Sequence, residues 1–73
     1  MTDAELEDLS DMIISGNARW WRLCSGVSIS ATADALGCGV TSLRQWENGL
    51  VPVQRATREL YYRFLCGLRD KLG

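Results

Sequence analysis

Seventy-three residues, 47% of them hydrophobic, make one domain with a modest core, because a chain this short buries a smaller share of its surface than a longer one. The net charge of −1 hides a division: residues 1–16 carry Asp3, Glu5, Glu7, Asp8 and Asp11 and no base, while all eight Lys and Arg lie in residues 17–73 against four carboxylates, a local balance of +4. No apolar run reaches the roughly 20 residues that cross a bilayer, and the acidic start lacks the basic and apolar regions of a secretion signal, so a cytoplasmic location with no membrane partner is expected.

Cys24, Cys38 and Cys66 are odd in number, without CxxC spacing, and there is no His, so free thiols and no metal or other cofactor are expected. Without a His base or an evident pair of functional carboxylates outside the acidic run, the chain does not read as an enzyme.

In chain order, Leu6, Leu9 and Ile13 recur at helical spacing between acids and predict a short amphipathic helix over residues 3–13 that looks like an appendage. Ser15-Gly16-Asn17 supplies a break, after which Ala18, Trp21 and Cys24 form the inner face of a helix ending near Gly26. Neighbouring helical residues point about 100° apart, so one of Trp20 and Trp21 must be partly exposed. Packing beneath the acidic helix is the role expected of Trp20.

Ser28 is a good N-cap for a short helix in which Thr32, Ala33 and Leu36 share a face, and Gly37 ends it. Only Cys38 and Gly39 separate it from an amphipathic stretch over residues 40–48, where Leu43 and Trp46 face inward and Asn48-Gly49 stops the helix. Two short helices joined by so tight a Gly-containing turn cross steeply, as in a helix-turn-helix. Pro52 precedes a last and longest helix, in which Ala56, Leu60, Phe64, Leu68 and Leu72 repeat every fourth residue. The expected fold is all-α: a compact four- to five-helix domain containing a helix-turn-helix, with a long C-terminal helix. Residues 1–14 read as an acidic helix or arm, and residues 15–73 as the domain itself.

From about Ile14 to Phe64 the chain resembles the lambda-repressor/Cro type of helix-turn-helix domain, the XRE family. The resemblance is carried by Arg22, Gly26-Val27-Ser28, Ala33, Leu36-Gly37, Leu43, Trp46-Glu47-Asn48-Gly49 and Pro52. Ile29 and Thr32 stand where that family often has Gln and an aliphatic residue, and Cys38 stands where it has a buried aliphatic one. The resemblance implies a sequence-specific double-stranded DNA-binding transcription regulator, a repressor of a phage or its bacterial host. It also implies a partly buried ion pair between Arg22 and Glu47.

In that reading the helix over residues 40–48 enters the major groove. Val40, Thr41, Arg44 and Gln45 are the expected base contacts, because the first turn of such a helix lies deepest and Gln pairs bidentately with adenine. Ser28, Ser42, Asn48 and Arg55 are the expected phosphate contacts. Tyr61, Leu65, Leu68 and Leu72 widen the apolar stripe of the last helix and are the expected homodimer interface, unless the N-terminal helix covers that stripe within one chain. Two alternatives carry weight. One is a protein-interaction module, such as an antitoxin or antirepressor, holding a partner through the acidic N-terminal segment, which otherwise serves as a solvated face or a mask over the basic body. The other is a MerR- or excisionase-like protein, which the run Ser42-Leu43-Arg44-Gln45-Trp46-Glu47 with Gly49-Leu50-Val51-Pro52 and Arg55 also resembles, and which adds a β-hairpin wing.

Overall fold

A computed structural model describes residues 2–72 and gives five α-helices: α1 (Asp3–Ile14), α2 (Asn17–Cys24), α3 (Ile29–Leu36), α4 (Val40–Glu47) and α5 (Arg55–Leu72). The described residues contain no strand, so the all-α class holds, and α5 occupies the stretch in which a wing would have to fold. No helix among them is long and apolar enough to cross a membrane.

Local chemistry sets the helix ends. α1 opens with a reciprocal cap: the Glu5 N–H donates to the Thr2 hydroxyl oxygen at 3.1 Å, and the Thr2 N–H donates to Glu5 Oε1 at 3.0 Å. Those bonds hold the Glu5 carboxyl below its ordinary value. Ser28 caps α3, its oxygen accepting from the Ala31 N–H at 3.1 Å. Gly37 closes α3 at φ +67°, a left-handed conformation that leaves the Cys38 N–H to donate to the Ala33 carbonyl at 3.0 Å.

Packing joins α1 to α2 and α5, α2 to α5, and α3 to both α4 and α5. One core results, built from Leu9, Met12, Ile13, Ala18, Ala33, Leu43, Trp46, Tyr61, Leu65 and Leu68. Thr32 is also buried, and its hydroxyl donates to the Ser28 carbonyl at 3.0 Å. A polar residue thereby sits in the core with its hydroxyl satisfied by the turn that precedes it.

Three expectations need correction. First, α1 is no appendage, since Leu9 and Ile13 are only 0% and 1% exposed and Met12 joins them in the core. The Tyr62 hydroxyl also donates to Asp8 Oδ2 at 2.8 Å, which fastens α1 to α5. Asp8 lies 3.7 Å from Arg69 as well, and its bond to Tyr62 pushes that phenol above its ordinary value.

Second, Tyr61, Leu65 and Leu68 cannot form a dimer surface, because they are 1%, 1% and 5% exposed inside the single chain. Of the four interface candidates only Leu72 is exposed, while Leu60, placed inward by the every-fourth-residue pattern, lies outside. The reason is geometric. At 3.6 residues per turn, a repeat of four advances about 40° at each step, so Ala56 to Leu72 winds away from any one face. The inner stripe follows Tyr61, Leu65 and Leu68, at spacings of four and three.

Third, Cys24 is exposed, and Arg22 takes the inner place beside Ala18, with Trp21 half-buried. Trp20 is the exposed one of its pair, at 63%, which leaves it outside the packing expected beneath α1.

Two outcomes follow. Leu9→Ala should cost about 2–5 kcal/mol of unfolding free energy, measured in denaturant, as for other buried leucines. If α1 were an appendage the loss would be near zero. The Tyr61 hydroxyl is buried without a hydrogen-bond partner, and burial raises its pKa above the ordinary value. Tyr61→Phe should therefore leave stability unchanged or raise it. Because the folded pKa exceeds the unfolded one, the stability tied to the neutral phenol is fully present below about pH 10 and lost above it. Denaturant melts should accordingly show the variant losing less stability than the parent chain between neutral pH and pH 11.

Candidate nucleic-acid interface

α4 is held on one side only. Leu43 and Trp46 are buried, and the Trp46 ring lies tilted against Tyr61 with centroids 5.2 Å apart. Glu47, next to Trp46, accepts from Arg22 through both carboxylate oxygens: Nε donates to Oε2, and Nη2 to Oε1 at 3.0 Å. The remaining guanidinium nitrogen, Nη1, donates to the Val27 carbonyl at 3.0 Å, so one side chain ties α2, the α2–α3 loop and α4 together. The two side chains are 10% and 6% exposed, and the bond to Glu47 raises the Arg22 pKa. The predicted ion pair is thus present, bidentate and buried.

The opposite side of α4 is polar and open. Thr41, Arg44, Gln45 and Asn48 are all exposed, and among the described residues none of their side chains makes a hydrogen bond or ion pair within the chain. Thr41, Gln45 and Asn48 follow at spacings of four and three and share a face, with Arg44 beside them. Val40 departs from its companions: it is half-buried and packs against the core, which leaves Thr41 as the freer group of the first turn.

The expected phosphate contacts do not form one group. Ser28 spends its oxygen as the α3 cap, with its hydroxyl proton still free to donate outward. Ser42 is half-buried in a 310 Å³ cleft with Gly37, Trp46, Pro52 and Thr57, at the edge of α4 between the exposed Gln45 and the buried Trp46. Arg55 is exposed but stands beside the start of α1, lining a 230 Å³ cleft with Thr2, Asp3, Leu6 and Arg58. Asp3 and Arg58 share that cleft with it, and among the described residues Arg55 forms no ion pair. Asn48 alone of the four shares the open face with the expected readers.

Arg19 was not anticipated from the sequence. It lines a cleft with Arg44 and Asn48 at the junction of α2, α3 and α4. The signal available was its position one turn before Arg22 on α2.

Comparison with protein-family models, with curated proteins and with solved structures finds no match for the chain.

The ion pair makes its own prediction. Glu47→Ala leaves the Arg22 guanidinium buried without its anion and should cost roughly 3–5 kcal/mol. That is a large share of the stability of so small a domain. Arg22→Lys, which cannot span both oxygens and the Val27 carbonyl together, should also lower the melting temperature. Thermal melts of both variants that match the parent chain would refute the role.

Proposed function

We propose that the chain is a sequence-specific double-stranded DNA-binding protein, acting as a transcription regulator, with α4 laid in the major groove. The observation that carries this reading is the anchored helix with an unpaired polar face. Thr41, Gln45 and Asn48, flanked by Arg44, project from a helix whose other side is fixed by Leu43, Trp46 and the Arg22–Glu47 pair. Side chains left without partners inside the chain are available to base edges and phosphates. A helix anchored along its length presents them in one register.

Individual roles follow from chemistry. Gln45 offers a donor and an acceptor in one plane, which matches the N6 and N7 edge of adenine. Thr41, one turn earlier, can meet a thymine methyl group or bond a base edge. Asn48 and the Ser28 hydroxyl serve phosphates and fix the register. Regulators of this type act as homodimers on sites with two-fold symmetry. For two copies here, contact falls to surfaces outside the Tyr61–Leu65–Leu68 stripe, which each chain keeps for its own core.

One observation favours a second reading, a module that binds another protein. Trp20 and Leu23, three residues apart on the outer side of α2, are 63% and 50% exposed and form an apolar face. Selection of bound sequences from random duplexes separates the two. The DNA reading expects a recovered motif, palindromic if two copies act together. It also expects Gln45→Ala to lose roughly 1–3 kcal/mol on that motif and to relax its preference at one position. If no duplex is bound at low salt, the protein-binding reading replaces it.

A further inference from the structure

The cleft that joins α2, α3 and α4 has a volume of 350 Å³ and is lined by Arg19, Arg22, Ile29, Arg44, Glu47 and Asn48. Inside it, Arg22 and Glu47 cancel each other through two parallel hydrogen bonds. What remains is the charge of Arg19 and Arg44, two exposed guanidinium groups from different helices. Among the described residues no carboxylate lies within salt-bridge distance of either. Asn48, one turn beyond Arg44, adds a neutral amide donor. At the cleft's α3 side stands Ile29, the first residue of that helix. The Ser28 oxygen satisfies Ala31, and the Ser28 carbonyl satisfies Thr32, which leaves the Ile29 N–H without a partner among the described residues.

We propose that this cleft is a seat for one phosphate group, gripped by Arg19 from α2 and by Arg44 and Asn48 from α4. The proposal rests on the DNA reading only for the source of that phosphate, which is then a phosphodiester of the duplex backbone beside the groove that α4 reads. It assigns Arg44 to the backbone rather than to a guanine, and it gives Arg19 a role in fixing how far α4 is pushed along the groove. Two guanidinium groups with a balance of +2, walls that carry a neutralised ion pair, and neutral donors between them suit a tetrahedral oxyanion. A protonated amine would meet two like charges here, and a neutral carbonyl would leave those charges unmatched.

The test uses the full chain and the variants R19Q and R44Q, both changed at exposed positions and checked for an unchanged melting temperature. Binding to the selected duplex and to a scrambled one is followed over roughly 50 to 200 mM salt. In low salt each variant should lose about tenfold or more on both duplexes alike. The slope of log affinity against log salt should fall by about 1 in each, and the selected sequence should stay the same. A changed base preference in R44Q, or a slope in R19Q equal to that of the parent chain, overturns the seat.

A second arm separates this outcome from failure of the DNA reading. Inorganic phosphate is titrated into the free protein while the Ile29 amide and the Arg19 and Arg44 Nε signals are followed by NMR. If no duplex binds, yet phosphate shifts these signals in the parent chain and not in either variant, the seat stands with a free phosphate compound as its ligand, and only the DNA reading falls. If neither duplex nor phosphate is bound, both fall.

Discussion

The arrangement of this molecule depends on the buried pairing of Arg22 with Glu47. Two charges are taken out of water at a cost of several kcal/mol each, and only good geometry returns it. Here both carboxylate oxygens and three guanidinium nitrogens are used, with the Val27 carbonyl completing the set. The consequence reaches past stability. Because Glu47 must meet Arg22 while Leu43 and Trp46 meet the core, the roll of α4 about its axis is fixed. Residues on the far side, Thr41, Gln45 and Asn48, are then turned outward whatever their own preferences. The same pairing removes the one carboxylate from the cleft between α2 and α4, so that Arg19 and Arg44 set its field.

What could be read in the sequence was what is decided locally. The ends of α3 and α4 follow from Ser28, Gly37 and Asn48-Gly49, each of which acts on the backbone within a few residues of itself, and the boundaries came out within a residue. Glu47 and Arg22, 25 residues apart, were joined by resemblance and not by any pattern in the chain. The long helix was harder. Its apolar residues cover more than half of its circumference, so spacing alone could not say which arc faces inward. The every-fourth-residue series was the more conspicuous one, yet Tyr61, Leu65 and Leu68 are the residues that lie buried in the core.

The misreading of α1 had a different cause. Five carboxylates without a base made residues 1–16 look foreign to a basic body. Yet charge on the outer face of an amphipathic helix says nothing about its inner face, and Leu9, Met12 and Ile13 lie at spacings of three and one, enough for one buried edge. No pattern within α1 could show that Asp8 receives the Tyr62 hydroxyl from α5, since the two are 54 residues apart. Covering the α5 stripe within one chain is also why that stripe is closed to a second copy.

The acidic helix and the basic cleft coexist because of where the packing puts them. α1 lies against α2 and α5, and α4 is not among its closely packed partners, so Arg44 stands on an element apart from the acidic helix, and no α1 carboxylate comes within salt-bridge distance of Arg19 or Arg44 among the described residues. At physiological ionic strength, interactions between exposed charges fade over about 8 Å, less than the width of one helix. Exposed carboxylates beyond that distance therefore weaken the field of the cleft far less than the net charge of −1 implies. Arg55 lies in a different cleft, which it shares with Asp3 and Arg58. Position rather than charge count thus separates the arginines: Arg19 and Arg44 converge on one cleft whose only carboxylate is already paired with Arg22, and Arg55 stands apart from them beside the start of α1.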